Sequence, residues 1–254
     1  MSEHVLEAAY VEQQVQVLLA GCGGNGSQML TGLARLNHAL TALGHPGLRV
    51  EAFDPDTVSE ANVGRQLFSP ADVGLNKATV LVHRLNAFFG LQWRATPTRI
   101  QRTTGYNTPT IVISCVDSRR ARVNIDKIFS HQPAYWMDLG NRTADGQVVL
   151  GQWAPHAKKE ARLPTVLELF PEVGDLTLPE DDAPSCSLAQ ALERQELFIN
   201  QAVVTPALAI LWTLFRFGRI AWHGAFVNLR SGRVQPLPVD PEAWARLGYP
   251  GRPE

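Results

Sequence analysis

The chain has 254 residues, 45% of them apolar and 19% charged, with a formal net charge of −1. That length supports one large α/β domain with a substantial core, and the balanced charge excludes a broad basic field for nucleic acid or anionic lipid. Three cysteines (Cys22, Cys115 and Cys186) leave one unpaired in any disulfide scheme, and no CxxC pair is present, so neither a disulfide framework nor a zinc site is expected and a reducing cytoplasm is the simplest compartment.

Residues 2–13 read as a short amphipathic helix carrying Val5, Leu6, Ala9 and Tyr10 on one face. No apolar run marks a signal peptide there. Val15 to Ala20 is an apolar, β-branched run suited to a buried parallel strand. A Gly-rich loop and a helix from about Ser27 to Leu43 follow, ended by Gly44-His45-Pro46-Gly47. Leu48 to Phe53 reads as a strand, Asn76 to Phe89 as a helix, Thr110 to Val116 as a strand, Ser118 to Ser130 as a helix and Ala134 to Leu139 as a strand. This alternation predicts a doubly wound, mostly parallel sheet of Rossmann-like α/β type. Beyond it the chain changes character. Gln147 to Trp153 and Ala225 to Gln235 look like strands, the second a hairpin turning at Ser231-Gly232, and predict an antiparallel C-terminal extension of the sheet. Between them lie a Pro- and acid-rich segment, Pro171 to Pro184, and a helical stretch from Ser187 to about Gly218. The longest apolar stretch within it, Val203 to Phe217, is too short and too interrupted to span a bilayer.

Gly21-Cys22-Gly23-Gly24-Asn25-Gly26 follows a strand and opens a helix, the context that G-x-G-x-x-G requires. Glycines let the backbone approach phosphate oxygens, and the helix start offers free N–H groups. Asp54 and Asp56 end the second strand, where a carboxylate accepts hydrogen bonds from ribose hydroxyls. The loop and this acid fit a nucleotide or a dinucleotide alike. Asn62, Arg65, Gln66 and Lys77 come next, and Asp117 lies just past a strand's C-terminal end, the edge where open parallel sheets bind ligands. Two cations and a carboxylate able to hold Mg²⁺ suit triphosphate chemistry better than hydride transfer.

The runs Asp54-Pro55-Asp56-Thr57-Val58-Ser59, Asn62-Val63-Gly64-Arg65-Gln66-Leu67-Phe68, Val73-Gly74-Leu75-Asn76-Lys77-Ala78 and Val116-Asp117-Ser118 with Ala121-Arg122 together resemble the adenylation domain of ubiquitin-activating enzymes and its bacterial relatives, the ThiF, MoeB and HesA proteins. The segment from Cys186 to Glu193 with Leu197 to Asn200 further resembles the ThiF-type proteins of the PRTRC cassette. The resemblance implies a single ThiF-type adenylation domain over 1–254, with a nucleotide-binding half at 15–140 and a partner-binding half at 141–240. It implies ATP and Mg²⁺ as cofactors, and a small ubiquitin-like protein with a C-terminal Gly as partner, with a conjugating-enzyme-like protein downstream and a homodimer as the assembly. By the same resemblance Gly21, Gly23, Gly24 and Gly26 would cradle ATP phosphates, and Asp54 would hold the ribose with Asp56 close by. Asn62, Arg65 and Lys77 would contact phosphates with Gln66 supporting them, and Asp117 would coordinate Mg²⁺.

Three departures stand out. Residues 1–34 contain no Arg or Lys, where many relatives carry an Arg that completes a neighbouring subunit's site; either another residue such as Arg99 or Arg102 substitutes, or that cross-subunit contact is absent. The paired CxxC motifs of zinc-binding relatives are missing. In the family a crossover cysteine can take the activated acyl group as a thioester, and by that resemblance Cys186, which follows an acidic crossover and precedes a helix, is the candidate, although Glu180-Asp181-Asp182 nearby disfavours a thiolate. Three other readings remain open from sequence: a non-catalytic nucleotide-binding scaffold for a ubiquitin-like partner, an NAD-dependent oxidoreductase, and adenylation of a tRNA base or another small carboxylate.

Overall fold

The computed structural model describes residues 2–101, 109–153, 162–178 and 188–249. Its elements run β1 (His4–Val5), α1 (Ala9–Glu12), β2 (Val15–Ala20), α2 (Gly24–Ala42), β3 (Leu48–Phe53), α3 (Lys77–Phe89), β4 (Arg94–Thr96), β5 (Thr110–Ser114), α4 (Arg119–Phe129), β6 (Ala134–Asn141) and β7 (Asp145–Trp153). The chain continues through α5 (Val166–Leu169), α6 (Leu188–Arg194), α7 (Ile199–Phe217), β8 (Arg219–Ile220), β9 (Trp222–Asn228), β10 (Arg233–Pro238) and α8 (Pro241–Arg246).

The main sheet has the order β10-β9-β7-β6-β5-β2-β3-β4. Strands β6, β5, β2, β3 and β4 are parallel to one another, whereas β7, β9 and β10 are added antiparallel. The α/β class, the mostly parallel sheet and its antiparallel C-terminal extension are therefore as the sequence pattern predicts. All six residues of β2 are buried. That follows from its central place, covered on both faces and paired on both edges.

Chain direction matters for the site. From β2 the chain steps to β3 and β4 on one side, then returns to β5 on the other. The crevice between the C-terminal ends of β2 and β5 is thus a topological switch point, where doubly wound sheets bind ligands. The loop after β2 lies there: the Cys115 amide donates to the Ala20 carbonyl (2.8 Å) and the Gly21 amide to the Phe53 carbonyl (2.9 Å).

Helix α7 packs on α2 and on β6, β7 and β9. Contact with α2 is close because Gly32 has no side chain: a Cβ there would stand 2.2 Å from Leu208 Cδ1. The helix begins four residues before Val203, and over its 19 residues it is long and apolar enough to cross a membrane. Here Val203, Val204, Ala207, Ile210, Leu211 and Leu214 are buried in the core instead.

Some local expectations differ. The segment 2–13 is not one helix, because His4–Val5 pairs antiparallel with Arg219–Ile220 and leaves only Ala9–Glu12 helical. The stretch 187–218 is two helices, interrupted at 195–198. Strand β4 escapes a pattern search, being three residues long and led by an exposed arginine.

Candidate functional site

The loop opening at Gly21 is fixed by backbone geometry. Gly21 has φ +90°, a conformation L side chains rarely adopt, and a Cβ on it would meet the Cys115 carbonyl oxygen at 2.7 Å. Gly26 allows the first turn of α2 to sit on the loop, since its Cβ would fall 1.8 Å from the Gly21 oxygen. The N-cap of α2 is Gly23, with no side-chain hydrogen bond, and the first turn carries no acid. The helix therefore presents uncapped N–H groups and the positive end of its dipole.

Asp54 ties this loop to the end of β3. It is buried, its Oδ2 accepts from the Cys22 amide (2.6 Å), and its Oδ1 accepts from the Asp56 amide (2.8 Å). Burial raises its carboxyl from the usual range, against those two hydrogen bonds and the nearby Lys77. Each oxygen keeps acceptor capacity beyond its backbone bond, as a ribose contact requires. Lys77, the first residue of α3, is buried and pairs with the exposed Asp56 at 3.3 Å. Asn76 places it: its Oδ1 caps α3 at the Thr79 amide (3.0 Å), and its Nδ2 donates to the carbonyls of Asp54 (2.8 Å) and Asp56 (3.0 Å).

Asn62 is buried and shapes the following segment. Its Oδ1 accepts from the Ser59 amide (2.9 Å), and its carbonyl accepts from the Gln66 amide (2.9 Å). This turn delivers Arg65 and Gln66. Gln66 is buried beside the loop, 3.8 Å from where a Gly23 Cβ would stand, and its Oε1 has no partner. Arg65 donates through Nη1 to Gln195 Oε1 (2.7 Å), while its Nε is buried and unpartnered. Burial lowers the Arg65 pKa, yet a guanidinium stays charged.

Asp117 is exposed on the β5–α4 connection, next to the strand end that touches Gly21. A buried ion pair holds that connection. Arg122 Nε donates to Asp138 at 3.0 and 3.1 Å, and its Nη2 donates to the Val116 carbonyl (2.8 Å). Ser114 Oγ donates to the same Asp138 (2.5 Å) and accepts from Trp136 Nε1 (2.7 Å). Among the described residues no group of three or more His, Cys, Asp or Glu could hold a metal. One carboxylate suffices where substrate phosphates supply further oxygen ligands, the usual arrangement for Mg²⁺.

Gly21, Gly23, Gly24, Gly26, Asp54, Asp56, Asn62, Gln66 and Lys77 are thus joined in one cluster by direct bonds or close approach, with Arg65 delivered by the same turn and Asp117 on the loop alongside. Cys186 and Arg102 lie outside the described residues, and Arg99 is exposed beyond β4. Burial pushes the Cys22 and Cys115 thiols up, so both are protonated packing residues. Sequence reasoning missed the polar partners from the second half, Gln195, Asn141 and Asn200. The one local signal was Asn25, a polar residue at a variable position of the glycine loop.

A family model of the ThiF family matches residues 9–235, most of the chain. The chain belongs to the ThiF family. A comparison with curated protein sequences gave no match. Among solved structures the fold is similar to PaaA (14% identity, TM-score 0.59, covering 91% of this chain and 65% of that one). It is also similar to E. coli MccB, solved with MccA-N7isoASN (15% identity, TM-score 0.57, covering 88% and 64%). The chain spans slightly less than two thirds of the length of either, and at such identity the likeness concerns the fold.

Proposed function

We propose that this ThiF-family chain binds ATP and Mg²⁺ and adenylates the C-terminal carboxylate of a small ubiquitin-like protein. The observation that carries the reading is charge. Among the described residues Arg65 meets a neutral carboxamide and no carboxylate, and it keeps a buried Nε without a partner, while buried Lys77 pairs with the exposed Asp56 and lies near Asp54. Buried cations are ordinarily paired. An arginine without a carboxylate partner among the described residues, with a second cation and an uncapped helix N-terminus close by, fits a polyphosphate.

In the reaction a carboxylate oxygen attacks the α-phosphorus of ATP, the bond to the bridging oxygen of the β-phosphate breaks, and pyrophosphate leaves. Asp54 orients the ribose. The α2 N–H groups and Lys77 bind phosphate oxygens, and Arg65 takes up negative charge as the leaving group separates. Positioning and charge neutralisation account for such chemistry, since no proton transfer is required. Mg²⁺, held by Asp117 and phosphate oxygens, would neutralise charge on the pyrophosphate. Residues 15–140 form the nucleotide-binding half, and 141–240 the half that meets the partner and a second copy of the chain.

ATP–pyrophosphate exchange by the full chain, with a protein ending in Gly present, tests this. Exchange dependent on that carboxylate is expected. Tight ATP binding without exchange would instead favour a nucleotide-binding scaffold, and NADH binding without ATP binding would overturn the assignment.

A further inference from the structure

Opposite the ribose acid, the glycine loop faces a second polar group that the nucleotide reading leaves unused. Along the C-terminal edge of the sheet the order is β3 with Asp54, β2 with the glycine loop, β5 with Asp117, then β6. Ser114, the last residue of β5, pairs with Asp138, so Leu139, Gly140 and Asn141 continue β6 past that edge, by roughly 10 Å at the usual rise per residue. There Asn141 Oδ1 accepts from Asn25 Nδ2 (2.9 Å).

The two amides are paired with Asn25 Nδ2 as the donor and Asn141 Oδ1 as the acceptor, and Asn141 Nδ2 donates in turn to the Arg142 carbonyl (3.3 Å). What remains of Asn25 is Oδ1, buried and without a partner. Asn200, near the start of α7, lies directly over Gly24: a Cβ on Gly24 would stand 2.5 Å from its carboxamide. Asn200 is 3% exposed and Asn25 7%. Asn200 Nδ2 is also buried and without a partner.

A buried polar atom without a partner is unfavourable, and here two of opposite sense lie beside one glycine. One is an acceptor, Asn25 Oδ1, and the other a donor, Asn200 Nδ2. A peptide bond offers the complementary pair, N–H and C=O. The position suits it too, because a nucleotide with its ribose at Asp54 and its phosphates on the glycine loop leaves the β6 side for the acyl group. We infer that Asn25 and Asn200, oriented by Asn141, form a subsite that reads the last peptide bond of the acyl substrate. This rests on the adenylation reading above and adds the amide as a specificity element.

The test uses the full chain saturated with α,β-methylene ATP, which cannot be cleaved at the α-phosphate. Two probes are titrated: a hexapeptide ending in Gly-Gly, and its analogue with an ester oxygen in place of the last peptide N–H. Wild type should bind the amide about 10- to 100-fold more tightly, the loss expected when Asn25 Oδ1 stays unpaired. Asn25→Leu should bring that ratio close to one. Asn200→Leu should weaken both probes together and keep the ratio, because the carbonyl it binds is present in both. Equal affinity of wild type for the two probes overturns the inference, and so does an unchanged ratio in Asn25→Leu. A chain that binds the nucleotide but neither probe overturns the subsite and leaves the nucleotide reading standing. A chain that binds no nucleotide overturns both.

Discussion

Asp138→Asn tests whether the Asp117 connection depends on its buried ion pair. Asp138 is fully buried and Arg122 nearly so, with side-chain exposures of 0% and 8%. The substitution keeps the shape but leaves the guanidinium uncompensated and turns an amide N–H₂ or a weaker acceptor toward Arg122 Nε. Removing one partner of a buried pair costs about 3–5 kcal/mol, and the retained hydrogen bond to Ser114 places this case near 3. For a chain of this size each kcal/mol lowers Tm by about 2–4 °C, so a drop of roughly 6–12 °C is expected in thermal melts followed by circular dichroism. Arg122→Met combined with Asp138→Leu removes both charges and should lose less than the single substitution. If Asp138→Asn costs under about 1 kcal/mol, or the double variant is as damaging as the two single losses added, the pair is not uncompensated in the way argued.

Lys77→Ala should weaken ATP binding by about 10- to 100-fold, the loss of one or two charge-assisted hydrogen bonds, read by equilibrium titration; an unchanged affinity would remove Lys77 from the phosphate site. Asp117→Ala should abolish Mg²⁺-dependent exchange with the melting temperature unchanged, since the residue is exposed; full exchange would refute the metal role. Cys186→Ala should preserve exchange but eliminate any thiol-sensitive conjugate with the partner, detected on gels with and without reductant. Stability should also fall as pH drops from about 6.5 to 4. Burial lowers His4 and His223 to about 4. The unfolded chain therefore takes up protons first, and stability present above pH 6.5 is lost down to pH 4, on the order of 3 kcal/mol for each histidine. His223 donates from Nδ1 to the Leu150 carbonyl (2.7 Å) and accepts at Nε2 from Trp244 (2.9 Å). His223→Gln does not titrate, so denaturant midpoints between pH 7 and 4.5 should show a smaller slope; an unaltered slope would sink the assignment.

The first half of the chain was legible because its signals are local. A continuous apolar strand, a glycine loop and a capped helix each follow from adjacent residues, as Val15–Ala20, Gly21–Gly26 and Asn76–Lys77 illustrate. That Lys77 and Asp117 lie on connections at the C-terminal ends of parallel strands could be expected from the topology of such a sheet alone. What stayed hidden was set by contacts between distant segments. His4–Val5 becomes a strand only because residues 219–220 pair with it, and no local pattern reveals that. Gln195 and Asn200 look like ordinary polar residues on a helical stretch until the fold carries them to Arg65 and Gly24.

The glycines of the loop show why the two halves form one site. Gly21 and Gly26 are required by the loop itself: one turns against Cys115, the other admits the first turn of α2 against Gly21. A phosphate cradle with no further duty would explain both. Gly24 answers to a different neighbour, the Asn200 carboxamide contributed by α7. Arg65 likewise meets Gln195, just beyond α6, before it meets any phosphate. Segments from the second half therefore reach the loop at Gly24 and the turn that carries Arg65, and they bring neutral, directional groups where the first half brings charge. That division matches what the two ends of an adenylation site must recognise: charge for the nucleotide, and shape and hydrogen bonding for the acid it activates.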